Sequence, residues 1–481
     1  MKFWVKISEK YKNGPIQFKA SLWFLLCSFV QKAISVITTP IFTRLMSTEE
    51  YGSLNVFWSW MNVIMVIISL NLFYEVFEQG LVKFSNKRSI FASSMQGLEL
   101  TIISIWGIIY ALFFKYWNEF FSLSTIQMIL MFCIIWTTAC FNFWAAEQRV
   151  LYQYKKLVIL TIITSMLSPV LSVFLISSAE DKVTARILGI GVVQIILYTG
   201  LFFSQIKRGK KFFDKNYWKY AITLNIPLVP HYLSQTVLNS ADRIMIGKMV
   251  GESSAGIYSL AYSISLVMIV FNHALNQTIG PWYFQKIKEN KIQEISKLGY
   301  FLFEIIAMVN LILIALAPEA VKIFAPDSYY SAIWIIPPIA MSVYFTFAYD
   351  MFCKFEFYYE RSKLIASITI IGAILNIGLN YLLIPLFGYQ AAAYTTLVCY
   401  CIYAILHYWG MQIICKKELN SNSPFKPIEL LKITGVFMIL GFAFQASYYV
   451  KYIRYFMIAI LCGMFWLFRK QIKKNISNIV N

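Results

Sequence analysis

Arg44-Leu-Met-Ser-Thr-Glu-Glu-Tyr-Gly52 lies between two apolar runs of membrane-spanning length, and Lys248-Met-Val-Gly-Glu-Ser-Ser-Ala-Gly256 lies between two more. Each runs from a basic residue through two apolar residues and a small one to a polar stretch, then to a glycine that opens the next run. The second copy follows the first by 204 residues, and the same offset sets Gln31 over Gln235, Ser35 over Asn239 and Ser59 over Ser263. A match at so long a period predicts a chain built twice from one unit, the sequence mark of many transporters.

Outward from these junctions the chain is apolar throughout. Of 481 residues, 59% are hydrophobic and 14% charged, against about 45–50% apolar in soluble domains. The mean hydropathy is +0.63. Water-exposed surface on that scale has no soluble solution, so the useful unit is the ~20 residues that cross ~30 Å of hydrocarbon. Fourteen such runs are read, from 20–40 to 452–468, with the seventh over 220–242 and the tenth over 330–352. The connections are short, and none could house a soluble domain. Disorder, a disulfide-stapled secreted domain and a cytosolic enzyme are excluded.

The expected fold class is an all-α polytopic membrane protein with about 14 transmembrane helices. Two six-helix lobes are related by pseudo-two-fold symmetry, with a cavity between them, and two C-terminal helices follow. Because six spans separate the copies, both halves keep one orientation. The predicted divisions are an N-terminal lobe over 1–204, a basic linker over 205–219, a C-terminal lobe over 220–411, and the last two spans with a basic tail over 412–481.

Forty-two Lys and Arg against 23 Asp and Glu leave a formal charge of +19. Of the 42, 31 fall on the two tails and the even-numbered connections, 9 on the odd-numbered ones, and Lys32 and Lys432 inside spans. Basic loops stay cytoplasmic, so both termini are predicted on that side. The charge is an address and an anionic-lipid contact rather than a nucleic-acid footprint. The basic N-terminal tail and the apolar run after it read as a retained first span, since no small-residue cleavage site follows. The eight cysteines fall mostly in spans and form no Cys-x-x-Cys pair. They read as buried hydrophobes, with no disulfide or metal indicated.

An ionisable group inside a span is costly and therefore a functional candidate. At ~100° per residue, His231, Gln235, Leu238 and Asp242 fall on one face of span 7, and Asn225-Ile-Pro-Leu-Val-Pro230 can break its first turns. Gln31, Ser35 and Thr38 share a face of span 1, with Lys32 at its edge. Span 11 carries Thr369, Asn376 and Asn380, read first as helix–helix hydrogen bonds. Asp242-Arg243 reads either as a functional group or as a self-neutralising pair. The three histidines show no metal-ligand spacing, and no phosphate loop, Walker motif or nucleophile elbow is present. No covalent catalysis and no cofactor are expected, and uphill transport would draw on an ion gradient or the membrane potential.

Three stretches carry a resemblance. The first runs from Asn225-Ile-Pro-Leu-Val-Pro-His231 through Asn239-Ser-Ala-Asp-Arg-Ile-Met-Ile-Gly-Lys248 to Gly256-Ile-Tyr-Ser-Leu-Ala-Tyr262. The second joins Asn376-Ile-Gly-Leu-Asn-Tyr-Leu-Leu-Ile-Pro-Leu-Phe-Gly388 to Ala391-Ala-Ala-Tyr-Thr395, and the third is Glu50-Tyr-Gly-Ser-Leu54. Together they resemble the Wzx-like polysaccharide repeat-unit flippases, the polysaccharide branch of the multidrug/oligosaccharidyl-lipid/polysaccharide flippase superfamily. Tyr389-Gln390 departs from the small pair usual after the span 11 glycine.

The resemblance implies alternating access in the bacterial cytoplasmic membrane. The implied cargo is an undecaprenyl-pyrophosphate-linked repeat unit for O-antigen- or capsule-type polymers. Membrane lipids, a polysaccharide polymerase and a chain-length regulator are the other implied partners. Substrate binding is expected from Lys32, Gln31, Arg44, His231, Gln235, Asn239, Arg243 and Lys248: cations for pyrophosphate, amides for sugar hydroxyls. Asp242, Glu304 and Asp350 are the candidates for ion coupling or gating. The rival readings are an ion-coupled multidrug antiporter of the same superfamily, which would favour acidic cavities, and a membrane polysaccharide polymerase, which would show a long external loop.

Overall fold

The computed structural model describes residues 15–419, 423–461 and 463. Lys2, Lys6, Lys10 and Lys12 of the N-terminal tail, Cys462 and the basic tail after Phe468 lie outside the described residues. Among those described, every regular element is helical.

The chain divides between Ser240 and Ala241. The first unit holds α1 (Ile16–Leu45), α2 (Thr48–Ser69), α3 (Glu75–Lys83), α4 (Arg88–Leu112), α5 (Phe114–Phe121), α6 (Thr125–Val150), α7 (Tyr154–Ser178), α8 (Lys182–Gly209) and α9 (Lys215–Asn225). A 3-10 turn, Ile226–Leu228, leads into α10 (Val229–Met249), whose last residues open the second unit. There follow α11 (Glu252–Lys288), α12 (Ile292–Ala315), α13 (Ala317–Phe324), α14 (Ile336–Tyr358), α15 (Ser362–Phe387), α16 (Ala391–Glu418), α17 (Pro427–Ala446) and a helix over 451–461.

Eleven described helices are long and apolar enough to cross a membrane, or twelve if the 3-10 helix Asp327–Trp334 and α14, bent by 48°, form one span. The protein is a multi-pass membrane protein. Two further spans read from sequence stand outside that set for separable reasons. The seventh is interrupted at Asn225–Pro227, where the 3-10 turn parts α9 from a polar α10. The fourteenth, 452–468, runs past the described residues. Exposed Ile374, Leu382, Leu386 and Phe387 on α15 show an apolar face of the kind that meets lipid.

The repeat is visible in the helix boundaries. α1 and α10 end at Leu45 and Met249, and α2 and α11 begin at Thr48 and Glu252; both pairs are 204 residues apart. α4 and α12 begin at Arg88 and Ile292, again 204 apart. Each is followed by an eight-residue helix, α5 or α13. α8 and α16 each have 28 residues. The copies differ in where they break: α11 is continuous over the length that α2 and α3 cover in two pieces, and α1 is continuous where a 3-10 turn parts α9 from α10.

The Glu50-Tyr-Gly junction has a local physical cause. Ser47 caps α2 by accepting from Glu50 N, and the Glu50 carboxylate accepts from Ser47 N at 2.7 Å, a reciprocal capping box. Lys182 at the start of α8 stands 3.8 Å from the same carboxylate and donates to Leu45 O at 3.0 Å, tying the junction to a third helix.

In the first unit Phe73, Phe77, Phe91 and Phe143 form an aromatic core, Phe77 lying edge-on to Phe143 at 4.7 Å. Beside it a polar chain, buried up to Glu147, runs from Gln96 to Gln205 (2.7 Å), from Gln205 to Glu147 (2.9 Å) and from Glu147 to both terminal nitrogens of the exposed Arg208. Each member leans on the next, which makes such a chain rigid and specific. In the second unit Phe303, Tyr344, Phe347, Phe352, Phe355 and Phe425 form the matching core. Tyr389, the departure noted in the sequence, donates to Ser331 Oγ at 3.1 Å and so ties the α15–α16 corner to the 3-10 helix before α14.

Candidate functional site

Two polar constellations stand out, one in each unit. The first depends on the break between α2 and α3. Leu70 and Asn71 both adopt left-handed backbone angles (φ 51° and 49°), which for leucine is uncommon and costs free energy. Ser69 Oγ accepts from Asn71 N at 3.2 Å and holds the turn. This break brings Asn71, Tyr74 and Glu75 against Tyr232, Gln235 and Thr236 of α10, around a cavity of about 260 Å³. The Tyr74 and Tyr232 rings lie 5.8 Å apart. Half-buried His231 lies beside Tyr232, and its Nδ1, like the Tyr232 hydroxyl, is buried without a protein partner. The cavity therefore offers a carboxylate, amides, hydroxyls and two aromatic faces, a set that suits hydroxyl-rich or cationic ligands.

The second constellation is centred on Asp242, which is buried. Its carboxylate accepts from Tyr258 Oη at 2.6 Å, Thr396 Oγ1 at 2.7 Å and Asn380 Nδ2 at 2.6 Å. Asn380 in turn accepts from Thr395 Oγ1 and stands 3.4 Å from Asn376 Oδ1. α10, α11, α15 and α16 thus converge on one carboxylate. Asp242, Tyr258, Asn376, Asn380 and Thr395 fall within stretches that carry the sequence resemblance, Asn239–Lys248, Gly256–Tyr262, Asn376–Gly388 and Ala391–Thr395, and Thr396 lies one residue past the last of them. A carboxylate among donors and neutral oxygens in an apolar surround is costly to maintain. Any change in these hydrogen bonds is felt at once by all four helices that share the carboxylate.

The other expected residues are placed as follows. Gln31 and Lys32 are exposed on α1. Arg44 is exposed at the end of that helix, its Nη1 donating to Pro40 O at 2.9 Å. None of the three is among the lining residues of the first cavity, whereas Gln235 is. Asn239 is exposed and donates to Gln235 O at 2.9 Å. The Arg243 guanidinium stacks over Tyr262 at 4.1 Å, a cation–π contact. Lys248 is exposed in the last turn of α10 and Glu304 is exposed on α12. Asp350 accepts from Asn276 Nδ2 at 2.8 Å, and Asn276 Oδ1 accepts from Lys354 at 2.7 Å.

Sequence reasoning passed over several groups that the fold brings in. Tyr258 and Thr396 carry no polar periodicity of their own. Glu75 reads as a span-end residue, yet the break at 70–74 turns it into the cavity. Arg186 counts as a loop cation, yet it lies in the first turns of α8 with its guanidinium 3.7 Å from the Phe42 ring.

With these sites in view, comparison with known proteins is informative. A family model described as polysaccharide biosynthesis protein matches residues 18–286, more than half of the chain. The chain belongs to this family. A protein of the Lsg locus of Haemophilus influenzae is 24% identical over 381 residues, covering 75% of this chain and 89% of that protein. A second H. influenzae membrane protein is 20% identical over 372 residues, covering 75% and 88%. Among solved structures, the lipid II flippase MurJ in an inward closed conformation superposes with a TM-score of 0.68 at 14% identity, over 94% of this chain and all of that one. An inward-facing multidrug resistance MATE family transporter of the MOP superfamily superposes with a TM-score of 0.62 at 12% identity, over 80% and 96%. The polysaccharide biosynthesis family member therefore has the fold shared by MurJ and the MATE transporters.

Proposed function

We propose that this protein is a flippase that moves undecaprenyl-pyrophosphate-linked oligosaccharide repeat units from the cytoplasmic to the outer leaflet of a bacterial cytoplasmic membrane by alternating access, for O-antigen- or capsule-type polymers. The observation that carries the reading is the joining of family membership over residues 18–286 to a fold that matches a lipid II flippase along 94% of the chain. A flippase for such a cargo must bind a pyrophosphate and a hydroxyl-rich head while the lipid tail stays in the bilayer. Lys32, Arg44, Arg243 and Lys248 are the cations assigned to the pyrophosphate. Gln31, His231, Gln235 and Asn239 are the groups assigned to the sugar.

Asp242 is the coupling residue in this reading, ahead of Glu304 and Asp350. It is the buried carboxylate of the three, and the two hydroxyls and one amide that donate to it are groups that a bound proton or sodium ion would displace or reorient. Binding that ion changes which of Tyr258, Asn380 and Thr396 remain bonded to it, and so biases the packing of four helices. Both termini face the cytoplasm, in keeping with the positive-inside distribution of the loops.

The deciding experiment is reconstitution of the purified protein in liposomes carrying a defined undecaprenyl-pyrophosphate oligosaccharide, with exposure of the sugar at the outer surface as readout. Protein-dependent exposure is the expected result, and none under any imposed ion gradient would refute the reading. Glu75 and the paired tyrosines of the first cavity favour one second reading, export of organic cations by an antiporter. Ethidium efflux from the same liposomes in the absence of sugar exposure would establish it.

A further inference from the structure

A third polar cluster lies apart from both constellations, on α14 and α16. Cys353 and Glu356 are one helical turn apart, so their side chains share a face. His407 faces them from α16. A sulfur, a carboxylate oxygen and a ring nitrogen from these residues all lie within 4.8 Å of one another. His407 Nδ1 is 2.8 Å from Glu356 Oε2, and Cys353 Sγ is 3.7 Å from the same oxygen. Among the described residues this is the one group of three histidine, cysteine or carboxylate side chains close enough to share an ion.

Hydrogen bonding inside the cluster leaves polar capacity unused. The side chains of Glu356 and His407 are fully buried, and Glu356 Oε1 and His407 Nε2 have no hydrogen-bond partner there. Buried polar atoms ordinarily find partners. An imidazole–carboxylate pair with a thiol beside it leaves these atoms unpaired, whereas a divalent cation would engage all three side chains through Nδ1, Sγ and the Glu356 carboxylate, with Oε1 available as its second oxygen. We propose that Cys353, Glu356 and His407 form a binding site for a zinc-type divalent metal ion.

The chemistry fits at several points. Thiolate, imidazole and carboxylate are the ligand types that zinc takes. Thiolate and carboxylate together balance a 2+ ion, so the buried cluster becomes neutral. With bonds of about 2.0–2.3 Å in a tetrahedral shell, ligand atoms stand about 3.5 Å apart. The Sγ–Oε2 separation already matches this, and the Nδ1–Oε2 pair opens by less than ~1 Å. The surroundings hold the ligands in place: the Tyr349 ring stacks on His407 at 5.6 Å and the Tyr403 ring meets it edge-on at 4.6 Å. Gly410 on α16 leaves the space that Glu356 occupies, since a Cβ there would lie 2.3 Å from Oε1. Lys354, the nearest cation in sequence, donates instead to Asn276.

Glu356 lies two residues before the end of α14, so the ion would enter from the end of the helix pair. Binding displaces the Cys353 thiol proton, together with the proton shared by Glu356 and His407 wherever the imidazole is charged; no electron is transferred. Three protein ligands leave a fourth position for water or another small ligand.

The test uses the purified full-length protein in detergent, stripped with chelator and titrated with Co²⁺ and then Zn²⁺. The expected result is one equivalent of metal, a near-ultraviolet thiolate-to-cobalt charge-transfer band, and loss of that band when zinc displaces cobalt. Cys353→Ser removes the band and weakens zinc binding at least tenfold. His407→Gln weakens binding similarly, and Cys401→Ser leaves both unchanged. Wild-type protein that binds no stoichiometric zinc overturns the proposal without reference to any variant. So does an unchanged cobalt spectrum in Cys353→Ser.

Discussion

Asn380 donates its side-chain amide to the Asp242 carboxylate at 2.6 Å, although the two residues are 138 positions apart. Tyr258 and Thr396 donate to the other carboxylate oxygen. The carboxylate thus acts as the acceptor for three donors from three helices. Replacing it by an amide of the same shape gives one acceptor oxygen and turns an NH₂ toward a donor. Asp242→Asn is expected to lower flipping in liposomes at least tenfold while the protein still elutes as a folded species. Wild-type flipping in that variant would remove Asp242 from the coupling role.

Thr396→Val separates stability from transport at the same site. It deletes one hydrogen bond to a charged group in a buried setting, worth about 2 kcal/mol. A lower melting temperature is expected, with transport reduced less than in Asp242→Asn. Thermal unfolding and flipping measured on the same preparation check the pair.

Lys32→Ala and Arg243→Ala test the assignment of cations to the pyrophosphate. Each is expected to abolish surface polymer in a complemented deletion strain while immunoblots show the usual protein level. Arg243 also stacks on Tyr262 at 4.1 Å, so Arg243→Lys, which keeps charge but loses the planar stack, is expected to retain part of the polymer. Normal polymer in both alanine variants would end the role of these cations.

Most of this architecture is legible in the chain. The apolar runs give the helices, and the nine-residue match at Arg44 and Lys248 announces a duplication that the helix ends reproduce at Leu45 and Met249. Asp242 is also legible, because a carboxylate in a span is costly and stands out. Its partners are less so. Asn376 and Asn380 read equally well as helix–helix hydrogen bonds, and nothing local marks Thr396 or Tyr258 as facing Asp242. The cavity at Glu75 depends on left-handed backbone at Leu70 and Asn71; asparagine visits that region, but nothing local predicts it for the leucine before it. The Cys353–Glu356–His407 cluster joins a one-turn pair to a residue 51 positions past Glu356, so chain-local spacing cannot reveal it.

Gly189 and Gly200, both on α8, supply an internal control for helix packing. A Cβ on Gly189 would lie 2.7 Å from Ser172 Cα and 2.8 Å from Ser172 N, backbone atoms that cannot swing aside. α7 and α8 approach this closely because the residue is small. Gly189→Ala is expected to destabilise by about 1–3 kcal/mol through overpacking. A Cβ on Gly200 meets nothing within 4 Å, so Gly200→Ala is expected to be neutral or to stabilise by about 0.5–1 kcal/mol. Melting temperatures of the two variants should move in opposite directions or differ by several degrees.

Exposure in a membrane protein means contact with either water or lipid, and labelling separates the two. Gln31, Lys32 and Gln235 are all exposed, as is Leu386 on α15. If the first three face an aqueous path, cysteines at 32 and 235 in a background without native cysteines should react with a membrane-impermeant maleimide. A cysteine at Leu386, equally exposed by geometry but on an apolar face, should react only with a lipid-soluble maleimide. A cysteine at buried Ser59 should resist both. Reaction at 235 follows from its place in the cavity lined by Asn71 and Glu75, so failure there would remove that cavity from the transport path. Failure at 32 alone would place that face of α1 against lipid, and Lys32 would then be an interfacial anchor whose ammonium reaches the headgroups.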